Sequence, residues 1–294
     1  MLKKEILSFE EIERLIDVFI DQGIEKIRLT GGEPLVRKNI NKLIYKIGKK
    51  IDKTNLKELT LTTNGTLLSK YAEDIKIAGI KRINISLDTL DPIKYRKITR
   101  LGNIERVFEG INASLNNNLK IKINVVALKN FNENELEEIL LWCGKMGIDV
   151  TFIEVMPMGE TDYYRFDQYL SLKNIREGFK EKFSLKSSKH KTGGPARYEF
   201  FEKYNINVGF ITPLTQNFCE NCNRIRITCT GRLYMCLGQE KYIDFKEILK
   251  NDYSNQKILE LINIAMNSKP KGHNFVIDKK TTPYLSRFMN TTGG

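Results

Sequence analysis

The chain has 294 residues, 41% of them hydrophobic, and a formal net charge of +12 at pH 7. That length and apolar fraction can form a sizeable core, no run approaches a membrane span, and five cysteines, an odd number, argue against a disulfide framework, so we expect a cytoplasmic protein. The positive charge favours anionic ligands, but the lysines form no long block, so charge alone does not indicate nucleic-acid binding.

Helical and strand-like segments alternate along the first half of the chain. Ser8 and Glu11 form a capping box at the start of the first predicted helix, and Gly23 is a helix stop. Strands are predicted in 24–34, 56–65, 80–89, 119–128 and 148–159, and helices near 38–50, 91–117 and 132–147. This alternation is typical of parallel β/α units, arranged as a barrel or an open sheet.

Each predicted strand has one polar face, because side chains alternate between faces with period two. The polar rows are Arg28 and Thr30; Thr60, Thr62 and Asn64; Asn84, Ser86 and Asp88; Lys122 and Asn124; Glu154 and Met156. Parallel strands covered by helices on both faces would be apolar almost throughout. We therefore expect a curved sheet whose inner face lines a wet cavity, although single polar residues could instead be satisfied core groups.

Ligands of β/α proteins bind at the carboxyl ends of the strands. Gly31 and Gly32, at the end of the first strand, would let a ligand approach the backbone closely, or would simply form a tight turn before Pro34. Arg28 and Lys122 lie in mid-strand on the predicted inner face. They could hold phosphate groups there, the alternative being solvated or salt-bridged cations.

The composition changes near residue 160, so we expect a barrel-like unit over 1–160 and a C-terminal extension over 161–294. The extension is more aromatic and irregular. Its predicted elements are a helix near 171–183, short strands near 197–202 and 206–211, and helices near 243–267. We interpret it as an α+β addition to the sheet and not as an independently folding domain.

The segment 217–237, NFCENCNRIRITCTGRLYMCL, contains four of the five cysteines. Cys219, Cys222 and Cys236 follow the spacing C-x2-C-x13-C, which in a cytosolic protein is a strong metal signal. Zinc closes its site with four ligands, whereas an iron–sulfur cluster held by three thiolates keeps one iron open. Cys229 shares the apolar face of RIRITC, so we expect a small buried hydrophobe there and favour this over a fourth ligand.

Arg224 and Arg226 share a face beside these thiols. Guanidinium groups bind phosphate and ring acceptors, and we favour this role over ordinary surface charge because thiolates beside them need stabilising. Cys143, inside a predicted helix, is interpreted as a core residue. The two histidines, His190 and His273, lie in polar loops and are assigned no role.

Several of these motifs occur together and in order in one known family. KIRLTGGEPLVRK, LTTNG, RINISLDTLD, FIEVMPMG, FCENCNRIRIT, GRLYMCL and the terminal GG resemble the GTP 3′,8-cyclase family of radical S-adenosylmethionine (SAM) enzymes. That family opens molybdenum cofactor biosynthesis. The resemblance extends from about Leu7 to Gly294 and implies an incomplete (β/α) radical-SAM-type barrel with parallel strands and a C-terminal α+β extension.

The resemblance also implies roles for individual residues. The thiolates of Cys219, Cys222 and Cys236 would hold a C-terminal [4Fe-4S] cluster whose open iron meets the guanine ring, and the tail of Gly293 and Gly294 would enter the active site. The remaining implied contacts are to GTP from Arg28, Thr62, Lys122, Arg224 and Arg226, and to SAM from Gly32, Ser86 and Met156.

The implied reaction converts GTP to (8S)-3′,8-cyclo-7,8-dihydroguanosine 5′-triphosphate. Its implied partners are an electron donor for cluster reduction, the next enzyme of the pathway, cyclic pyranopterin monophosphate synthase, and a second copy of the chain in a homodimer. Neither a membrane nor nucleic acid is expected as a partner.

One departure from the family pattern leaves alternatives open. The family's C-x3-C-x2-C block, which holds a further [4Fe-4S] cluster that cleaves SAM, does not occur in the 294 residues, and we expect the first barrel strand to be missing with it. The edge of the strand EKIRLT would then be unprotected. A truncated chain or a misassigned start is preferred to a degenerate, non-catalytic GTP-binding iron–sulfur relative. A zinc-ribbon nucleic-acid binder is the third alternative.

Overall fold

The computed structural model describes residues 5–156, 158–159, 167–214, 222–251, 254–270 and 287–293. The helices of these ranges are α1 (Phe9–Asp21), α2 (Ile40–Gly48), α3 (Leu68–Ile77), α4 (Pro92–Thr99), α5 (Ile104–Asn116), α6 (Leu136–Lys145), α7 (Leu172–Phe183), α8 (Lys246–Lys250), α9 (Asn255–Asn267) and α10 (Met289–Thr292). None of them is long and apolar enough to cross a membrane.

The strands are β1 (Lys26–Leu29), β2 (Glu58–Thr63), β3 (Arg82–Ser86), β4 (Lys120–Ala127), β5 (Asp149–Glu154), β6 (Lys186–Ser187), β7 (Arg197–Phe201), β8 (Ile206–Ile211), β9 (Arg226–Ile227), β10 (Arg232–Tyr234) and β11 (Tyr242–Asp244). Short 3-10 turns lie at Pro34–Val36, Glu133–Glu135 and Glu202–Tyr204.

An eight-stranded sheet forms the main layer, in the order β1-β2-β3-β4-β5-β8-β7-β6. The first five strands and β8 run parallel, and β7 and β6 complete the sheet in antiparallel pairing. The predicted parallel β/α units are confirmed, and β8 brings the region after residue 160 into the same sheet. Within the described ranges β1 has a strand neighbour on one side only, β2. A missing first barrel strand beside it stays a prediction.

The start of α1 follows the predicted capping box. The Ser8 hydroxyl accepts a hydrogen bond from the Glu11 N–H at 3.1 Å, and the Glu11 carboxylate accepts one from the Ser8 N–H at 2.6 Å. Two backbone donors that the helix itself leaves without acceptors are thereby satisfied. Gly23 follows the helix with φ 86, a left-handed conformation that costs glycine little.

The outer face of the sheet is apolar and packs against helices. Its fully buried side chains join those of the helices in one cluster, which includes Leu61, Ile85, Ile123 and Phe152 from the strands and Ile47 from α2. Burial of each such side chain stabilises the fold by about 1.5–3 kcal/mol. The opposite face carries the polar rows and is called the inner face, and the space beside it is called the hollow.

The register confirms the predicted polar rows of β2, β3 and β4. Thr62 pairs with Asn84, and Asn84 pairs with Lys122, so the three side chains share the inner face. On β1, Arg28 pairs with Thr60 and belongs to the same face.

The predicted polar row of β5 is wrong. Lys122 pairs with Asp149 and Asn124 with Thr151, so these β5 residues face the hollow, whereas Glu154 lies on the helix side with Phe152. Glu154 is buried, and its carboxylate accepts the Leu172 N–H at 3.1 Å. It is a satisfied buried group at the start of α7, an alternative that polarity in the sequence cannot distinguish from a cavity residue.

A second, smaller core fixes the C-terminal region against α1. Strands β9, β10 and β11 form an antiparallel sheet, and Leu233 from β10 is buried with Leu15 and Val18 of α1. Phe19 of α1 meets Phe245 edge to face, with ring centroids 6.4 Å apart. Since Ile20 of α1 belongs to the main core, this one helix contributes to both cores.

Ile75 and Ile77 of α3 test the assignment of the buried face, because their exposed fractions are 0% and 64%. We expect Ile75→Ala to lower the free energy of unfolding by about 2–5 kcal/mol, since it leaves a cavity. Ile77→Ala, the matched control, should change it by less than about 0.5 kcal/mol. Urea unfolding followed by circular dichroism measures both, and equal losses would contradict the packing described here.

Candidate functional site

Several polar atoms of the inner face are buried but have no acceptor or donor among the described protein groups. They are the side-chain oxygens of Asn84, Asn124 and Thr151, on three adjacent strands. Buried polar atoms are normally hydrogen-bonded, so three orphans on one face indicate a surface built for a polar ligand or for water. Thr62, predicted as a site residue, lies beside them and accepts a hydrogen bond from the Asn84 amide at 3.3 Å.

The same face carries a group of cations from β1, β3 and β4. Glu58 pairs with Lys26 at 2.8 Å and with Arg82. Arg28 reaches solvent, yet burial by surrounding protein, followed by the charges of Arg82 and Arg224, lowers its pKa. The Arg28 side chain is therefore reached by solvent although protein atoms surround it closely, as expected for a residue that borders the hollow.

Lys122 is the most strongly perturbed member of this group. Burial lowers the pKa of its ammonium to about 7, with further contributions from the positive charges of Arg28 and Arg82. Like charges held this close disfavour one another's charged forms. Excess positive charge of this kind favours an anionic ligand.

Arg224 and Arg226 bring a second pair of cations from the C-terminal region to the same place. Burial and the adjacent charge of Arg224 lower the pKa of Arg226 to about 10, and the charge of Arg28 contributes as well. The sequence predicted Arg28, Lys122, Arg224 and Arg226 as site residues, and the structure brings them together although they lie on β1, β4 and around β9.

The cysteines Cys222 and Cys236 lie next to these guanidinium groups. Burial tends to raise the pKa of Cys222, but the Arg224 backbone N–H and the Arg224 charge outweigh it and lower this pKa overall. Cys236 accepts the Gly238 N–H at 3.4 Å, and both sulfurs interact electrostatically with Arg226. Cys222, whose thiolate form is favoured, and Cys236 both lie near Arg226, and this arrangement fits a metal or cluster site. Cys219, the predicted third ligand, lies outside the described residues.

Cys229 is exposed, so the prediction of a small buried hydrophobe is wrong. β9 ends at Ile227, and a turn closed by the Gly231 N–H to the Thr228 carbonyl at 3.0 Å interrupts the alternation on which the prediction rested. The Cys229 sulfur interacts with Arg37, whereas Cys222 and Cys236 interact with Arg226. Cys143 is fully buried in α6, as predicted for a core residue.

The three residues predicted to contact SAM come at the carboxyl ends of β1, β3 and β5. They are Gly32, Ser86 and Met156. A Cβ built on Gly32 would meet no atom within 4 Å, so the backbone there is open to close approach. Ser86 is exposed at the last position of β3. All three therefore lie along one edge of the parallel strands.

Glu33, which the sequence analysis passed over, fixes the first of these loops. Its carboxylate accepts hydrogen bonds from the Thr63 hydroxyl at 2.8 Å, the Asn64 N–H at 2.6 Å and the Leu35 N–H at 3.0 Å. The loop after β1 is thereby tied to the loop after β2.

The C-terminal tail reaches the site through Gly293. Its carbonyl accepts a hydrogen bond from the Arg226 Nε at 3.4 Å, and a Cβ there would lie 2.3 Å from the Thr30 methyl carbon. Arg287 anchors the tail by donating to the carbonyls of Leu237 and Gln239 at 2.7 and 3.0 Å. Only a residue without a side chain fits beside Thr30. Gly294 lies outside the described residues.

Lys26, Arg82 and Tyr198 complete the site and were missed. Lys26 lies two positions before Arg28, and Arg82 two before Asn84, so period-two alternation alone would have found both. Tyr198 comes from β7, and the Lys122 ammonium donates to its hydroxyl at 3.3 Å. No local sequence signal connects residues 76 positions apart.

Comparison with known proteins identifies the class of protein to which this fold and site belong. Residues 2–143 match the Radical SAM superfamily, and residues 148–275 match the family Molybdenum Cofactor Synthesis C. Among solved structures, SuiB of Streptococcus suis bound to S-adenosylmethionine has a TM-score of 0.62 at 17% identity, over 97% of this chain and 70% of that chain. SuiB bound to its precursor peptide SuiA gives 0.63 at 16%, over 97% and 69%. The chain therefore has an α/β radical-SAM fold with a C-terminal extension.

Within that class the chain belongs to the GTP 3′,8-cyclase family. It is 50% identical over 293 residues to the GTP 3′,8-cyclase of Mesorhizobium japonicum, which covers 99% of this chain and 88% of the relative. The enzyme of Rhizobium meliloti is 51% identical over 99% of this chain and 84% of the relative. Radical SAM proteins use SAM and [4Fe-4S] clusters, so the family implies both here.

Cys236 and Cys229 allow a matched test of the cluster site. We expect Cys236→Ser to abolish iron and sulfide binding in the C-terminal region, because it removes a thiolate beside Arg226. Cys229→Ser should retain both, because this exposed residue lies in a turn on the side of Arg37. Iron and acid-labile sulfide are measured after anaerobic reconstitution, and loss of iron in Cys229→Ser would make Cys229 a ligand.

Proposed function

We propose that this protein is a GTP 3′,8-cyclase that converts GTP to (8S)-3′,8-cyclo-7,8-dihydroguanosine 5′-triphosphate, in molybdenum cofactor biosynthesis. The observation that carries the proposal is the convergence of cations from both parts of the chain on one hollow. Arg28 and Lys122 come from the parallel sheet, and Arg224 and Arg226 come from the C-terminal region beside two thiols. A nucleoside triphosphate has the charge to bind several cations and a ring with acceptors for others.

The chemistry of the side chains indicates which part of the nucleotide each of them binds. Arg28 and Lys122, with Lys26 beside them, bind the triphosphate, since guanidinium and ammonium groups are the usual phosphate ligands in proteins. Arg224 and Arg226 donate to acceptor atoms of the nucleotide next to the thiolates, and Thr62 offers a hydroxyl between them.

The guanine ring is then placed on the side of Cys219, Cys222 and Cys236, which would hold the C-terminal [4Fe-4S] cluster. The tail residues Gly293 and Gly294 would border the ribose and exclude water. The contact between Arg226 and the Gly293 carbonyl supports the assignment of the tail, and the interaction of Arg226 with Cys222 and Cys236 supports that of the ring.

SAM is proposed to bind along the carboxyl ends of β1, β3 and β5, at Gly32, Ser86 and Met156. When bound, SAM and the further [4Fe-4S] cluster that the family holds with its C-x3-C-x2-C block would supply the radical chemistry of the superfamily, and that block does not occur in the 294 residues. The residues of this chain orient ribose C3′ and guanine C8, the two atoms that the reaction joins, towards each other. Fixed orientation of reacting atoms lowers the barrier of a bond-forming step.

The implied partners belong to the same proposal. They are GTP, an electron donor for the clusters, the enzyme that consumes the product, cyclic pyranopterin monophosphate synthase, and a second copy of the chain. The division into a barrel unit (1–160) and an extension (161–294) is likewise proposed, and it separates the strand ends for SAM from the thiols and the tail.

Arg224→Ala tests the nucleotide site. We expect it to weaken GTP binding roughly tenfold to a hundredfold, as the loss of a charge-assisted hydrogen bond does. Arg232→Ala is the matched control, because Arg232 lies on the neighbouring strand β10 and pairs with Asp244 at 3.6 Å. Isothermal titration with GTP and thermal unfolding are measured for both variants. Unchanged GTP affinity in Arg224→Ala would remove this residue from the site.

The pH dependence of GTP binding tests the role of Lys122. Its pKa of about 7 means that the free protein holds the amine partly deprotonated near neutrality. A bound triphosphate favours the ammonium, so binding takes up a proton, and affinity falls as the pH rises through 7. Titration in buffers of different ionisation enthalpy measures the proton uptake. Lys122→Arg, whose guanidinium stays charged, should show less uptake, and equal uptake in both proteins would contradict this assignment.

A further inference from the structure

Tyr198 lies on the inner face of the sheet, in line with the orphaned polar groups. It pairs with Gly209 of β8, and Gly209 pairs with Thr151 of β5, so the three positions share one face. Tyr198 is 4% exposed. Its edge-to-face neighbour is the ring of His190, with centroids 4.7 Å apart.

Gly209 makes the space that this ring occupies. A Cβ at that position would lie 2.9 Å from the Tyr198 Cε1 and 2.7 Å from the Thr151 hydroxyl. Real Cβ atoms do not approach other atoms so closely without displacement. The missing side chain therefore lets the tyrosine extend across β8 towards β4, where Lys122 lies.

The Tyr198 hydroxyl joins Lys122 to the loop that precedes β7. The Lys122 ammonium donates to it at 3.3 Å, and it lies 3.2 Å from the Thr192 hydroxyl. Thr192 is held in turn by Lys26, whose ammonium donates to its backbone carbonyl at 2.7 Å. Lys26 and Lys122 are thus connected through two uncharged residues, Thr192 and Tyr198.

The contact with the Tyr198 hydroxyl can orient the Lys122 amine without cancelling its charge. A carboxylate beside Lys122 would hold the ammonium but would cancel its charge. A phenol hydroxyl accepts a charge-assisted hydrogen bond from an ammonium and can donate a weaker one to a neutral amine, with the Thr192 hydroxyl reversing its own role. Lys122 is therefore held in place whether it carries a proton or not.

We infer that Tyr198 is a positioning residue that aims the Lys122 amine into the cationic hollow without neutralising it, so that Lys122 is ready for a phosphate group. The inference rests on the proposed function, because it takes the triphosphate of GTP as the ligand of Lys122. The charged groups that face Lys122 from the neighbouring strands are Lys26 and Arg28 on β1, Arg82 on β3 and Asp149 on β5.

Tyr198→Phe keeps the ring in its space and removes only the oxygen. We expect GTP affinity at neutral pH to fall roughly threefold to tenfold, the effect of one lost hydrogen bond. The loss of affinity with rising pH should also begin at a lower pH than in the unchanged protein, because the ammonium has lost an acceptor. A merely structural role for Tyr198 would not move this pH profile.

The measurement is isothermal titration with GTP across neutral pH, with thermal unfolding to confirm that each variant is folded. Tyr204→Phe is the matched control, since this tyrosine packs against Phe201 with centroids 5.0 Å apart and is expected to leave binding unchanged. In a Lys122→Met background, Tyr198→Phe should have no further effect, because the two residues act as one unit.

The outcomes distinguish the inference from the proposed function. If Lys122→Met leaves GTP affinity unchanged, the proposed phosphate site is wrong, and the inference fails with it. If Lys122→Met weakens binding but Tyr198→Phe shifts neither the affinity nor the pH profile, only the inference is overturned. The same holds if Tyr198→Phe weakens binding equally with and without Lys122.

Discussion

Electrostatic repulsion is the constraint on which the site depends. Burial lowers the pKa of Lys122, and the charges of Arg28 and Arg82 lower it further, so these cations disfavour one another and favour an anionic ligand between them. They stay together because the outer face of the sheet is largely apolar and packs against helices. A contiguous core supplies far more free energy than one such repulsion removes, so the fold can hold charges in an arrangement that they would not adopt alone.

The site also depends on how the two parts of the chain meet. The parallel sheet supplies cations in mid-strand and open backbone at the strand ends, whereas the C-terminal region supplies two guanidiniums, two thiols and Gly293. In the proposed function the first set offers charge for phosphates and the second offers donors for a ring. Within the second set, Arg226 of β9 is hydrogen-bonded to the Gly293 carbonyl of the C-terminal tail, so two separate segments of the C-terminal region hold this set together.

Period-two alternation predicted most of the inner face, because β2, β3 and β4 each alternate polar and apolar residues over several positions. It failed on β5, where Ile153 faces the hollow and the carboxylate of Glu154 is buried on the helix side by a backbone hydrogen bond. It failed again at Cys229, because the strand ends before that residue. Both errors come from tertiary contacts and turns that polarity does not encode.

Other features lay beyond any local pattern. Tyr198 of β7 meets Lys122 of β4 across β8 and β5, and β8 carries a glycine at the crossing point. The motifs of the resemblance, by contrast, assigned Arg224 and Arg226 to one predicted site with Arg28, and the structure brings these charges close to one another, which alternation could not predict. Motifs of this kind summarise long-range contacts that a single sequence does not otherwise reveal.

The position of α1 has a consequence for folding. One face of this helix packs in the main core through Ile20, and another packs against Leu233 and Phe245 of the C-terminal region. Two regions that match separate families thereby share a single structural element. We expect them to behave as one cooperative unit, so that heat or denaturant melts both in the same transition and neither persists as a stable intermediate without the other.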